Sequence, residues 1–172
     1  MAISIRRLRP DDDRSGFRSG NIDLDRFFQR FAGQNQFRHH IGTTYVAVDD
    51  GRILGFATVA PSEIAADGVP EAQRKRLPRY PLPVLRLARL ATEESARGRG
   101  VGSTLLQAVF TLAHTMADEL GCVGVVVDAK QDAIAFYEKL GFVALEARAG
   151  QLGDRPEPFP MFLELGAIPR PR

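Results

Sequence analysis

The spacing of apolar residues in the first third of the chain predicts a strand, a helix and a pair of strands. The segment ISIRRL has the length and composition of a short strand, which Pro10 and the three aspartates after it end. A helix follows, with Asp23 as its expected N-cap, because apolar residues recur at intervals of three and four. These residues, which we expect to form one buried face, are Leu24, Phe27, Phe28 and Phe31. The strands TTYVAV and ILGFATVA come next, joined by the tight turn DDGR.

The remaining two thirds of the chain alternate strands with helices. Residues 61–83 are rich in proline and form a connector, in which EAQRKRL makes one or two helical turns. VLRLARLA is a predicted strand, and 101–120 is a helix with an apolar stripe that includes Leu120 and with Gly121 as its C-cap. VGVVV is typical of a strand covered on both faces, DAIAFYEKL is a short helix, and GFVAL and PFPMFLEL are the last strands. The fold class is therefore α/β (α+β), with a mixed central sheet flanked by helices.

Length and composition suit a single domain. The chain has 172 residues, of which 44% are hydrophobic and 26% charged, and we expect residues 1–172 to form one domain with its own core. The N-terminal MAISIRRLRP has no following apolar run of signal-peptide length, and nowhere do eighteen apolar residues occur in a row. We therefore expect a cytoplasmic protein with no membrane association.

Cysteine and histidine give no sign of a metal site. Cys122 is the only cysteine, which excludes an internal disulfide, and its apolar surroundings in CVGVVV predict a small buried residue. His39 and His40 are adjacent in a polar stretch, and His114 lies on a predicted helix. Because no cysteines or carboxylates stand at ligand spacing from these histidines, we predict no metal.

Positive charge is concentrated in one segment of a chain whose net charge is only +2. Residues 74–99 hold eight basic and two acidic residues, a local charge of +6, so the rest of the chain carries −4. This distribution is expected for a face that binds a polyanion. A solvated arginine-rich loop is the alternative interpretation.

The segment RGRGVG at 97–102 stands between a predicted strand and the long helix. Backbone N–H groups in such a loop point outward at the positive end of the helix dipole, which makes an anion site. The spacing fits neither a Walker loop nor the dinucleotide fingerprint. Together with the order strand, loop, long helix, strand VGVVVDA and then FYEKLGF, it resembles the GNAT acetyltransferases, whose pyrophosphate signature is Arg/Gln-x-x-Gly-x-Gly/Ala.

This resemblance, which runs over 84–142, implies an acetyl-CoA-dependent N-acetyltransferase with acetyl-CoA as its cofactor. It places the pyrophosphate on the glycine loop and the pantetheine beside the end of the preceding strand. The cofactor-binding residues would be Leu90, Ala91, Arg97, Gly98, Arg99, Gly100, Val101, Gly102 and Ser103. Tyr137 stands where GNAT enzymes keep a catalytic tyrosine that returns a proton to the leaving thiolate. Its alternative role is a core aromatic, although Phe136 beside it suits the core better.

More of the chain is similar to a narrower group, the GNAT toxins of bacterial toxin/antitoxin pairs. The matching stretches are FRSGNIDLDRFF, YPLPVLRLARLA, VDAKQDAIAFYEKLGF and PMFLEL. This similarity implies acetylation of the α-amino group of aminoacyl-tRNA, which blocks translation. It also implies a small ribbon-helix-helix antitoxin as partner, and it leaves a homodimer open as the assembly.

The tRNA substrate gives the basic segment a function, since Lys and Arg that neutralise phosphates supply most nucleic-acid affinity. An α-amino group with a pKa near ~8 is also a better nucleophile at neutral pH than a lysine amine near ~10.4, so no strong base is needed. The residues assigned to tRNA are Arg74, Lys75, Arg76, Arg79, Arg86 and Arg89. Three alternatives remain: a GNAT enzyme for a small amine or a protein N-terminus, a non-catalytic CoA-binding sensor, and an RNA-binding protein without enzymatic activity.

Overall fold

A computed structural model describes residues 2–145 and 159–170. In that part of the chain seven strands form one mixed sheet in the order β1-β2-β3-β4-β5-β7-β6. The strands are β1 (Ser4–Arg7), β2 (Thr43–Asp49), β3 (Arg52–Ile64), β4 (Leu82–Thr92), β5 (Gly124–Ala129), β6 (Val143–Ala144) and β7 (Phe159–Glu164). The helices are α1 (Ile22–Arg26), α2 (Glu71–Arg74), α3 (Val101–Glu119) and α4 (Ile134–Lys139). The predicted class and the predicted order of elements are confirmed.

Contacts divide the chain into two compact units. Unit 1 consists of Met1–Ala60 and Leu87–Val109, and unit 2 consists of Pro61–Arg86 and Phe110–Arg172. Three elements, β3, β4 and α3, continue from one unit into the other, since the borders fall inside them.

Unit 1 contains an antiparallel arrangement of β1, β2 and β3. The register pairs Ser4 with Val48 and Thr43 with Val59. The predicted turn DDGR is confirmed, because Asp50 and Gly51 have φ values of 51° and 75°, as a two-residue hairpin turn requires. The aromatic centre of this unit includes Phe28 and Phe56, whose rings stack with centroids 4.4 Å apart.

The N-terminal helix differs from its prediction at the cap and at one core position. Its N-cap is Asn21, whose side-chain oxygen accepts a hydrogen bond from the N–H of Leu24 at 3.0 Å, so the assignment of the cap to Asp23 is wrong. After α1 the helix continues as two π-helical segments, Phe27–Phe31 and Gln34–Arg38. The wider π turn rotates later side chains away from the core, which explains why Phe31 is 41% exposed although it was predicted to be buried.

Unit 2 contains the antiparallel strands β5, β7 and β6, with Gly124 opposite Glu164 and Val143 opposite Phe162. All residues from Gly124 to Val127 are buried, as predicted for a strand covered on both faces. The core of this unit brings Val69 and Leu82 of the connector region together with β5 and β7.

The long helix α3 begins at the predicted Val101 and ends one residue before the predicted end. Gly121 has a φ of +116° and donates its N–H to the carbonyl of Met116 at 2.8 Å, which confirms the glycine C-cap. Leu120 is 85% exposed, so its assignment to the apolar stripe is wrong, because the chain has already left the helix there.

Candidate active site

The glycine loop has the geometry of an anion cradle. Gly98 and Gly100 have φ values of +81° and +78°, a conformation that L side chains rarely adopt, and no heavy atom lies within 4 Å of a Cβ built on either. Helix α3 starts at Val101, directly after the second of these glycines. The first turn of a helix has N–H groups without intrahelical partners, and they lie at the positive end of its dipole. The loop therefore offers backbone donors and open space to an anionic group.

The two arginines of the loop have internal partners. Arg97 donates from its guanidinium to the carbonyl oxygen of Ser19. Arg99 forms an ion pair with Asp49, at the end of β2, with Nη2 and Oδ2 3.0 Å apart. Both side chains therefore tie the loop to other parts of unit 1, and the backbone amides remain as the principal donors of the cradle.

The N-terminal segment FRSG supports the residues that precede the loop. Arg18 donates its backbone N–H to Glu93 Oε2 at 2.8 Å, and its carbonyl accepts from the N–H of Glu94 at 2.8 Å. Ser19 donates its hydroxyl to the buried carboxylate of Asp25 at 2.6 Å. These bonds explain the presence of the motif, and they give the carboxylate of Glu93 a structural role.

Gly55 on β3 is a residue that sequence reasoning missed. A Cβ at this position would lie 2.7 Å from Cγ1 of Val101 and 2.8 Å from the carbonyl oxygen of Ala91. Both distances are too short for any side chain, so glycine lets β3, β4 and the start of α3 approach closely. The only available sequence signal was a glycine inside the apolar strand ILGFATVA. Ala91 itself is 6% exposed, while Leu90 is partly buried.

Tyr137 on α4 is buried, with 7% of its surface exposed. Its ring makes edge-on contacts with Phe136 and Phe142, each with centroids 5.3 Å apart. Burial raises the pKa of its phenol to about 12, because the charged phenolate loses hydration. Phe136 is 40% exposed, so the expectation that it suits the core better than Tyr137 is wrong.

The six basic residues assigned to tRNA do not have the same surroundings. Arg86 forms a two-pronged hydrogen bond with Asp128 at 2.7 and 2.9 Å, which raises the pKa of its guanidinium. Arg76 pairs with Glu164 at 3.1 Å. Arg89, in unit 1, stacks its guanidinium 3.7 Å from the ring centroid of Phe27.

The other three, all in unit 2, line one cavity of about 800 Å³. They are Arg74, Lys75 and Arg79. Tyr80 lines the same cavity and was not singled out by sequence reasoning, although an aromatic residue beside a basic run is a recognised signal for nucleic-acid binding. The structure thus brings half of the predicted basic residues together, along with one further candidate.

Within 2–145 and 159–170, no three histidine, cysteine or carboxylate side chains are grouped as ligands for a metal ion. None of the helices in the same part of the chain has the length and apolar character to span a membrane. Cys122 is buried and free, as predicted, and burial raises the pKa of its thiol.

The chain matches a family model and several curated proteins. The model of the acetyltransferase (GNAT) domain matches residues 40–144, which is more than half of the chain. A protein named tRNA-acetylating toxin, from Mycobacterium tuberculosis, is 34% identical over 138 residues, which cover 80% of this chain and 82% of that protein.

Solved structures with the same fold include three of proteins named KacT, AtaT and AtaTR. A tyrosine-to-phenylalanine variant of KacT has a TM-score of 0.82 at 26% identity and covers 98% of each chain. AtaT complexed with acetyl-methionyl-tRNAfMet has a TM-score of 0.81 at 25% identity and covers 97% of each chain. AtaTR bound with acetyl-CoA has a TM-score of 0.76 at 26% identity, covering 96% of this chain and 95% of that one.

Proposed function

The chain belongs to the GNAT acetyltransferase family, and from that premise we propose that it is a toxin that transfers the acetyl group of acetyl-CoA to the α-amino group of aminoacyl-tRNA and so blocks translation. The observation that carries the proposal is the 34% identity, over 80% of the chain, to a tRNA-acetylating toxin. The likeness to AtaT with acetyl-methionyl-tRNAfMet supports the same class of substrate. We also propose that residues 1–172 act as one catalytic domain, because the family match at 40–144 includes parts of both units.

The glycine loop fits the pyrophosphate of acetyl-CoA. When bound, acetyl-CoA supplies an acetyl group activated as a thioester. We assign its pyrophosphate to the backbone amides of 98 and 100–103, since two positive-φ glycines leave open space at the start of a 19-residue helix. The N–H of Arg99 donates to the carbonyl of Ala96 instead. Arg97 and Arg99 act mainly through the loop, which they hold in place by their bonds to Ser19 and Asp49. The backbone of Leu90 and Ala91, near the end of β4, is the proposed partner of the pantetheine.

Tyr137 is the proposed general acid. A pKa of about 12 keeps its phenol protonated at neutral pH, so its Oη holds the proton that the departing thiolate needs. At neutral pH almost none of this phenol is ionised, so a phenolate is not available as a base. Proton donation is therefore the role that this environment supports.

The chain needs no strong general base for this substrate. An α-amino group with a pKa near ~8 is already partly neutral at physiological pH. Two carboxylates that could have served as bases are occupied, because Glu93 accepts from the backbone of Arg18 and Asp128 from the side chain of Arg86. Their hydrogen bonds support the structural role given to them here.

The partners and the location follow from the toxin class. A toxin that stops translation needs a neutralising partner in the cell that makes it, and we propose a small ribbon-helix-helix antitoxin. Because charged tRNA is the proposed substrate, we also propose a cytoplasmic location. A homodimer stays a prediction of the sequence alone.

The test compares two amines at equal concentration. One is a charged tRNA, and the other is the amide of the same amino acid, whose amine is equivalent but which lacks RNA. We expect the kcat/KM for acetyl transfer from labelled acetyl-CoA to charged tRNA to be at least about 100-fold higher than that for the amino acid amide, since only tRNA contacts the basic residues. Equal kcat/KM for the two amines would instead favour the small-amine transferase.

A further inference from the structure

The cavity of about 800 Å³ lies in the connector between β3 and β4, in unit 2. Its lining comes largely from α2 and from the residues that follow it as far as Pro81. The residues that matter for its chemistry are Asp67, Glu71, Arg74, Lys75, Arg79 and Tyr80. Its volume falls within the ~300–1,000 Å³ that is typical of small-ligand sites, and a nucleotide fits such a space.

The wall of the cavity is anchored to the core. Ala66 and Leu77 line the cavity and also belong to the hydrophobic cluster around Val69 and Leu82. Backbone hydrogen bonds then hold the turns from Pro70 to Leu77, with Arg74 N–H donating to the Pro70 carbonyl at 2.9 Å and Leu77 N–H to the Arg74 carbonyl at 3.1 Å. The part of the wall from Pro70 to Leu77 is therefore held by backbone hydrogen bonds and by contacts with the core.

Tyr80 is the aromatic residue of the cavity. It is 64% exposed, so most of its ring is open to solvent. The aromatic rings of Phe28 and Phe56, by contrast, are fully buried. An exposed ring beside cations offers a flat face to an unpaired base, and every nucleobase can stack on it.

Arg74, Lys75 and Arg79 line the same cavity as Tyr80. Within the described residues, Arg74, Lys75 and Arg79 have no carboxylate at ion-pair distance, whereas Arg76 and Arg86 each have one. Phosphates of a nucleic-acid strand would neutralise them.

The two carboxylates of the cavity indicate a ligand that carries hydrogen-bond donors as well as phosphate groups. Asp67 and Glu71 both line it and are exposed, and Asp67 already has an interaction partner of its own. Carboxylates repel phosphates, but they accept hydrogen bonds from the exocyclic amino group of cytosine, and an adenine amino group offers the same donor. A cavity with a stacking ring, cations and carboxylates therefore matches unpaired bases that carry amino groups, together with their phosphates.

We infer that this cavity binds the single-stranded 3′ end of the tRNA substrate, with the ring of Tyr80 stacked on an unpaired base. The inference rests on the proposed function, which supplies tRNA as the ligand. It adds a base-binding site in the connector and a residue, Tyr80, that positions the RNA. Arg74, Lys75 and Arg79 bind the phosphates on either side of that base.

The test is a binding cycle with uncharged tRNA and no acetyl-CoA, so that it is independent of catalysis. Dissociation constants are measured for wild type and Tyr80→Ala, each with intact tRNA and with tRNA whose single-stranded 3′ nucleotides have been removed. Stacking of one base predicts that Tyr80→Ala weakens binding of intact tRNA by about 5- to 150-fold. It also predicts little effect on the truncated tRNA, because the interaction partner is already missing.

Two further variants separate stacking from loss of fold. Tyr80→Phe keeps the ring and should bind intact tRNA as wild type does. Leu120→Ala removes an exposed apolar side chain outside the cavity lining, 85% exposed in wild type, and should also leave binding unchanged. A Tyr80→Ala effect that is equally large on truncated tRNA, or absent on intact tRNA, overturns the inference.

Salt dependence tests the three cations. Replacing Arg74, Lys75 and Arg79 with glutamine should flatten the dependence of log Kd on log salt by about 2, at ~0.7 for each lost single-strand phosphate contact. Tyr80→Ala should keep the wild-type slope. Arg170→Gln removes an arginine that pairs with Asp118 at 2.9 Å and serves as the charge control. An unchanged slope in the triple variant would contradict phosphate binding here.

Failure of the proposed function has a different signature. If wild type does not acetylate charged tRNA, the substrate assignment fails whatever the binding cycle gives. If it acetylates charged tRNA but Tyr80→Ala behaves as wild type in the cycle, only the assignment of the cavity fails.

Discussion

Replacement of Tyr137 by phenylalanine removes one oxygen atom and leaves the ring. The edge-on contacts with Phe136 and Phe142, at centroid distances of 5.3 Å, involve ring atoms that both residue types share. The free energy of unfolding should therefore change by less than about 1 kcal/mol. The loop at 98–103 is untouched, so the dissociation constant of acetyl-CoA should stay within about 2-fold of the wild-type value.

The turnover number should fall by about 10²- to 10⁴-fold, which corresponds to about 2.7–5.5 kcal/mol of lost transition-state stabilisation. The pKa of about 12 sets the pH dependence of the wild type. Since this pKa is raised, the phenol is still protonated at pH 10, where an ordinary tyrosine would be half ionised. We therefore expect kcat/KM to rise as the substrate amine loses its proton near pH ~8 and then to stay level up to pH 10.

The assay is rapid-quench acetyl transfer to charged tRNA, which is fast enough to precede alkaline hydrolysis of the aminoacyl ester. Phe136→Leu is the matched control, because it alters the packing of the same ring but keeps the hydroxyl group. Wild-type turnover in Tyr137→Phe would refute the general-acid role. An equal loss in Phe136→Leu would show that packing, not proton donation, is what the tyrosine contributes.

Three further variants or probes test other parts of the molecule. Gly100→Val should abolish acetyl-CoA binding in calorimetry. Gly51 has nearly the same φ and equally open surroundings, so Gly51→Val should carry the same backbone strain and keep the affinity for acetyl-CoA. Equal affinities in the two variants would place the anion site elsewhere. Arg86→Gln should lower the free energy of unfolding, measured in urea, by about 1 kcal/mol, because it removes the ion pair with Asp128. The salt dependence of tRNA binding should stay unchanged, and a flattened dependence would make Arg86 a phosphate contact. Cys122 should react with a thiol reagent only on unfolding, because it is buried and its thiol pKa is raised, and rapid labelling of the native protein would contradict this burial.

Features with a local cause could be predicted from the sequence. The glycine loop is one, because positive φ at Gly98 and Gly100 follows from residue type and position between a strand and a helix. The tight turn at Asp50 and Gly51 and the C-cap at Gly121 are others. Each of these depends on a few neighbouring residues, which the sequence lists in order.

Features that depend on distant partners could not be predicted. Arg86 meets a carboxylate 42 residues away, and Arg97 meets a carbonyl 78 residues away, so neither partner follows from the local pattern. The prediction that Phe136 suits the core better than Tyr137, on the six-residue helix α4, is wrong for a related reason. A helix of fewer than two turns has too few positions for periodicity to show which of Phe136 and Tyr137 faces the core.

The central claim is that the acetyl group goes to the α-amino group of the amino acid on tRNA. Its direct test is to incubate the protein with isotopically labelled acetyl-CoA and a pool of charged tRNA, release the amino acids by mild alkali and identify them by mass spectrometry. The account predicts label in N-acetyl amino acids and none in tRNA that was left uncharged. Label that stays with the RNA, or charged tRNA that leaves the reaction unmodified, would contradict it.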